Sequence, residues 1–140
     1  MKQMPSRIFY KKPHKPGSFF LQAVAQKAFF PLTELFALKS LGSGRLNFKQ
    51  IEAGRRTIRR TVSKRGRLII RPFTGVSITK RSMGLRMGKG KGGHHQWVCP
   101  IRRDQILYEI SGVSAAYARF ALQKAADKMP FRCKVVKLVY

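Results

Sequence analysis

The chain has 140 residues, 44% of them hydrophobic, and carries 30 lysines and arginines against five acids, a formal net charge of +25. That is apolar material enough for one modest core, which excludes a wholly disordered chain, and a charge beyond what self-pairing neutralises, which makes a polyanion the expected partner. Nucleic acid is favoured because each neutralised phosphate releases counterions, whereas a bilayer span needs roughly 18 unbroken apolar residues and the nearest candidate, Phe19 to Leu41, is interrupted by Gln22, Gln26, Lys27, Pro31, Glu34 and Lys39.

Residues 1–18 are basic and punctuated by Pro5, Pro13 and Pro16. These prolines oppose an amphipathic presequence helix and favour an extended arm ordered by a partner. The apolar stretch 19–41 predicts a short helix around Leu21 to Phe30, broken at Pro31, and "GSGR" (42–45) predicts a turn. A strong helix follows. Asn47 caps it, Gln50 stands where a capping box wants Glu or Gln, and Gly66 is the expected stop. Phe48, Ile51, Ile58 and Val62 share one face and should be buried. Around the rest lie Lys49, Arg55, Arg56, Arg59, Arg60, Lys64 and Arg65, with only Glu52 to oppose them.

"RLIIRPF" (67–73) and "SITKR" (77–81) predict extended pieces, and a glycine-rich loop follows. "QWVCPI" (96–101) and "QILYEI" (105–110) read as strands around a turn at Arg102 to Asp104, with Pro100 marking an edge or a bulge. A second helix starts after Gly112 with Ser114 as cap and ends before Pro130. Ala118, Ala121, Leu122, Ala125 and Met129 form its apolar stripe, and "RCKVVKLVY" (132–140) is a final strand. This order predicts an α+β class: a single compact domain of mixed or antiparallel sheet packed with two main helices, preceded by a basic N-terminal extension.

Two segments carry the chemistry. In "RMGKGKGGHHQW" (86–97), Gly88, Gly90 and Gly93 satisfy G-x-G-x-x-G, but a dinucleotide site needs a helix immediately afterwards, and His94 to Ile101 reads as a strand. A Walker A loop fails too, since no Gly-Lys is followed by Ser or Thr at the required spacing. What remains is a β-loop whose amides can approach a phosphate backbone while lysines supply charge, or a solvated hairpin tip. The other segment is the arginine helix, whose neighbouring cations repel one another by about a few tenths of a kcal/mol per pair. A phosphate backbone would turn that repulsion into attraction.

Other chemistries are poorly signalled. Cys99 and Cys133 form no C-x-x-C pair, so reduced, buried thiols are expected rather than a disulfide framework or a zinc module. The spacing of His14, His94 and His95 suggests no metal site, and a structural or RNA-stacking role suits these residues better. Trp97 reads as core. Five scattered acids and no Ser-His-Asp pattern leave no catalytic candidate, so neither an enzyme nor a cofactor is expected.

The stretches "GSGRLNFKQIEAGRR" (42–56) and "LRMGKGKG" (85–92), followed in order by the tryptophan, "LYEISGV" and "ALQKAADKMP", resemble the bacterial and organellar type of the L16/L10e (uL16) family of large-subunit ribosomal proteins. The resemblance covers roughly residues 36–137. It implies an α/β-hammerhead-like fold, with residues 36–140 as the rRNA-binding domain and 1–35 as a basic and apolar extension. It further implies a structural, non-enzymatic role beside the peptidyl-transferase centre, with large-subunit rRNA, A-site and P-site tRNA and neighbouring ribosomal proteins as partners. Arg45, Lys49, Arg55, Arg56, Arg59, Arg60 and Lys64 would face rRNA, and the loop Arg86, Met87, Gly88, Lys89, Gly90, Lys91 and Gly92 would face tRNA. The N-terminal 35 residues carry "FFLQAVAQKAFF" in place of the family's Gly- and Arg-rich pattern, and "GHHQW" also departs from it. These departures point to a mitochondrial ribosome, with the bacterial cytoplasm or a plastid as alternatives. An RNA-binding chaperone or regulator outside the ribosome is the alternative function.

Overall fold

The structure is a computed structural model that describes residues 4–7, 36–63 and 66–137. The expected helix around Leu21 to Phe30, together with Lys64, Arg65 and the last three residues, lies outside the described residues. In chain order the elements are β1 (Phe36–Ser40), β2 (Gly44–Asn47), α1 (Phe48–Val62), β3 (Arg67–Ile70), β4 (Val76–Lys80), β5 (Gly93–Ile101), β6 (Ile106–Ser111), α2 (Ala115–Ala126) and β7 (Cys133–Lys137). They form two sheets, one in the order β3-β6-β1-β7 and the other β2-β5-β4. Among the described residues every pairing is antiparallel, so the α+β expectation holds with antiparallel sheets.

The sequence reading missed β1. Its five residues, FALKS, are nearly all buried because β6 and β7 flank it and α2 covers it, and a strand enclosed in this way shows no polar alternation. The predicted turn at residues 42–45 is shorter than expected, since Gly44 and Arg45 already pair with Ile101 and Pro100 in β2 and β5. Pro100 lies on the central strand of its sheet, not on an edge. The proline is tolerated because β4 stops pairing at Val98, leaving Pro100 with β2 alone beside it. The register shift in this sheet falls at Ile78/Thr79 instead.

Helix α1 starts where its capping signal places it, with the Asn47 amide donating to Gln50 Oε1 at 2.9 Å. It ends earlier than Gly66. Ser63 already takes a positive φ of 59° and caps the helix by donating its amide to the Arg59 carbonyl at 2.8 Å. Gly66 shapes the entry to β3, with φ +80° and an added Cβ only 2.3 Å from Val113 Cγ2. Along α1 the buried residues are Ile51, Gly54, Ile58 and Val62, whereas Phe48 is only partly buried.

Gly54 decides how α1 sits. Tyr108 of β6 is fully buried, and its hydroxyl donates to the Ile51 carbonyl at 2.8 Å. A Cβ on Gly54 would lie 2.6 Å from that hydroxyl oxygen and 3.0 Å from Met129 Cε. The glycine therefore provides the space into which the phenol fits, and burial raises the Tyr108 pKa well above the ordinary phenol value. Helix α2 packs on α1 and on the four-stranded sheet through Ala118, Ala121, Leu122 and Ala125, small residues that permit close approach. Met129, expected on this stripe, lies past the end of the helix and is partly buried against the core.

Helix propensity alone favours Gly54→Ala by about 1 kcal/mol. The crowding at Tyr108 reverses the sign, and we expect Gly54→Ala to destabilise the fold by about 1–3 kcal/mol. Urea unfolding of the two proteins checks it, and the double variant with Tyr108→Phe, which removes the crowded oxygen, should recover part of the loss.

Candidate nucleic-acid interface

The burial of Ile51, Gly54, Ile58 and Val62 turns the rest of α1 outward. Lys49, Arg56 and Arg60 are exposed, and Arg55 and Arg59 are partly buried along its flanks. Arg45, on β2 just before the helix, is also exposed. The structure thus brings Arg45, Lys49, Arg55, Arg56, Arg59 and Arg60 onto one continuous β2–α1 segment.

The mutual repulsion expected among these arginines is partly relieved. Glu52 accepts from Arg55 Nε at 2.8 Å and Nη2 at 2.7 Å, and from Arg56 Nε at 3.0 Å. One carboxylate, one turn earlier on the helix, thus orients two guanidinium groups. The hydrogen bonds from Arg55, and then the one from Arg56, hold Glu52 at a pKa of about 2, against an ordinary 4.5, although partial burial pulls the other way. Arg59 Nη1 donates to the Gly66 carbonyl at 3.3 Å. Two other acids among the described residues are engaged elsewhere: Glu109 is buried on β6 with Arg71 at 2.9 Å, and Asp104 pairs with Lys39 at 3.0 Å. The i, i+3 and i, i+4 spacing of Glu52 to Arg55 and Arg56 was the signal available in the sequence.

The loop is built differently. Strand β5 pairs with β2 only from Val98 to Ile101, while residues 93–97 pair with β4 alone. A two-stranded ribbon therefore continues roughly 17 Å past the end of β2, at about 3.3 Å per residue, and carries residues 81–92 at its tip. Residues 81–90 are all exposed, including Arg86 and Lys89, whereas Lys91 and Gly92 are partly buried at the loop's return.

Gly88 and Gly90 take φ values of +91° and +81°, and Lys89 between them takes 58°. A left-handed path of this kind suits glycine. Arg81 Nη2 bridges the loop by donating to the Gly88 carbonyl at 2.9 Å, a clamp that the sequence reading did not single out. Gly92 permits close strand passage, since a Cβ there would stand 2.3 Å from the Lys80 carbonyl oxygen. Met83 and Met87 are each 94% exposed, and Leu85 is half exposed. Three large apolar side chains within five residues of a cationic tip suit a surface that meets a partner better than one that meets only water.

Trp97 differs from its expected place in the core. It is partly buried on the ribbon, its ring 4.9 Å from that of His94, and His94 Nδ1 is hydrogen-bonded to Ser77 Oγ on β4. These side chains brace the base of the ribbon. Cys99 is buried and Cys133 partly buried, both are free, and desolvation raises both thiol pKa values, that of Cys133 to about 11. Among the described residues no cluster of His, Cys, Asp and Glu is arranged to hold a metal ion, and no helix is long and apolar enough to cross a membrane.

A family model described as ribosomal protein L16p/L10e matches residues 5–136. The chain belongs to that family. It is similar to proteins named large ribosomal subunit protein uL16 from Psychrobacter arcticus and Psychrobacter cryohalolentis, each 41% identical over 133 residues that cover 95% of both chains. The namesake from Pseudoalteromonas atlantica is 39% identical over 132 residues, 94% of each chain. The L16p/L10e match also takes in residues 5–35, which the motifs at 42–56 and 85–92 do not reach.

Two predictions come from this geometry. A carboxylate whose pKa is depressed on folding stabilises the protein above its unfolded pKa and loses that contribution as pH falls through the folded value. For Glu52 the window runs from about 4.5 down to about 2. Thermal unfolding of wild type and Glu52→Gln should therefore differ most above the window and converge toward its lower end. Replacing Arg86, Lys89 and Lys91 together with alanine removes only peripheral contacts, so the stability change should stay within about 0.5 kcal/mol. Chemical denaturation checks it.

Proposed function

We propose that the outward face of α1, with Arg45 beside it, binds phosphates of large-subunit rRNA near the peptidyl-transferase centre, and that residues 86–92 help position A-site and P-site tRNA. As a member of the L16p/L10e family, the chain is a structural constituent of the large ribosomal subunit. The observation that carries the division of roles is the contrast between the two cationic elements. One is locked to the core along its length, whereas the other is held clear of it on a two-stranded ribbon. An anchored cationic helix suits a permanent rRNA contact, because its side chains are already placed by packing. A loop with little to bury suits a partner that arrives and leaves.

On this reading the chain acts by binding and positioning, with neighbouring ribosomal proteins as further partners, and performs no chemistry of its own. Its place is the ribosome. We propose a mitochondrial ribosome on the strength of the divergent N-terminal 35 residues, although the relatives compared are bacterial.

Phosphate neutralisation makes binding steeply salt-dependent. If about six contacts form, the logarithmic salt slope is roughly −5, and a severalfold rise in salt weakens binding by orders of magnitude. Alanine at Arg55, Arg56, Arg59 and Arg60 should flatten that slope and leave the variant in the free pool on gradients. The triple loop variant should enter large subunits, remain through a high-salt wash, and slow tRNA accommodation or peptide-bond formation. Loop-variant subunits that assemble and translate at the normal rate would remove the tRNA role.

A further inference from the structure

Helix α2 uses one face to close the core and leaves two large aromatic side chains on the other. Tyr117 is 62% exposed and Phe120 is 53% exposed, one turn apart. Neither is needed to bury the stripe of Ala118, Ala121, Leu122 and Ala125. Beside Phe120, between α2 and β7, lies a hollow of about 490 Å³ lined by Arg119, Phe120, Gln123, Val135 and Lys137. The Lys124 ammonium lies 4.3 Å from the centre of the Phe120 ring, so the ring is held by a cation–π contact.

The lining is specific in its chemistry. Phe120 and Val135 supply an apolar surface. Gln123 supplies an amide that can donate and accept at once, and Arg119 and Lys137 supply positive charge with no carboxylate among the lining residues. An apolar protein segment would have to bury its surface beside two cations that have no carboxylate among the described residues lining the hollow. A nucleotide matches all three features, with a flat base for the ring, polar edges for the amide and phosphates for the cations.

We propose that this hollow takes one unpaired nucleotide of RNA. The base lies against Phe120 and Val135, the Gln123 amide meets its polar edge, and Arg119 and Lys137 hold the flanking phosphates. This rests on the RNA-binding reading above and adds to it a contact on α2 and β7, outside the elements assigned there.

The test uses the full chain and large-subunit rRNA. Ultraviolet cross-linking followed by peptide mass spectrometry should find a nucleotide adduct within residues 119–137. Phe120→Ala, at an exposed position, should weaken rRNA binding roughly tenfold with the salt slope unchanged, as the loss of one base stack does. Arg119→Gln with Lys137→Gln should instead lower the slope. Circular dichroism would confirm that both variants fold.

An absent adduct together with Phe120→Ala binding within about twofold of wild type, a difference far smaller than one lost stack gives, would overturn the proposal. If the α1 arginine variants still weaken binding in that case, the functional reading stands and only the hollow is rejected. Unchanged rRNA affinity with failed incorporation into subunits would likewise overturn it, in favour of a protein partner on this face. Salt-independent binding by the wild type would reject the functional reading and the hollow together.

Discussion

The Tyr108 phenol enters the space left by the missing side chain at Gly54, and the placement of α1 depends on that contact. With the hydroxyl bonded to the Ile51 carbonyl at 2.8 Å and no Cβ at residue 54 in its way, the Tyr108 side chain ties the helix to the four-stranded sheet. Ile51, Ile58 and Val62 then complete the core with Leu46, Tyr108 and the alanine stripe of α2. The same seating fixes which side chains face outward. A helix of period 3.6 whose glycine and three aliphatics point inward has nowhere but solvent for Lys49, Arg56 and Arg60. The cationic face is therefore a consequence of core packing, and Glu52 limits the repulsion by drawing Arg55 and Arg56 to itself.

The loop follows a different physical rule. It gains almost nothing from burial, so its shape comes from local restraints: the β4–β5 ladder that carries it, the close passage at Gly92, and the Arg81 side-chain bridge to the Gly88 carbonyl. Such an element can change conformation at small cost to the domain. A fixed helix and an adaptable loop in one domain allow a permanent contact and a transient one to be served independently. The exposed methionines at 83 and 87 fit the proposed transient contact, since flexible thioether side chains adapt to differing surfaces.

The two helices were legible because their signals are local. Asn47 and Gln50 mark the start of α1, Ser114 the start of α2, and each apolar stripe repeats at helical spacing. The strands on either side of the turn at Arg102 to Asp104 were legible as extended runs, but that turn joins the two sheets instead of closing a hairpin, since β5 pairs with β2 and β4 and β6 with β3 and β1. By contrast, β1 was invisible because it is enclosed on both faces, and β2 was hidden in a glycine-rich stretch whose pairing with β5 is non-local. Helix propensity alone makes Gly54 a weak point inside a helix. Its purpose depends on Tyr108, far away in sequence, and no local pattern connects the two. The candidate phosphate-binding residues were legible as charge, and the spacing of Glu52 to Arg55 and Arg56 signalled their partial neutralisation, but the bridge from Arg81 depends on side-chain geometry.

The most direct test of the central claim, that core packing presents one cationic element for rRNA and leaves a second free for tRNA, is a density map of the large subunit carrying this chain with tRNA in the A site. The account predicts that Arg56 and Arg60 lie within hydrogen-bonding reach of rRNA phosphates, with the Ile51 side of α1 still on Tyr108, and that residues 86–92 contact the tRNA. A map in which the outward face of α1 meets solvent, or in which the loop lies folded into rRNA away from the tRNA, would contradict it.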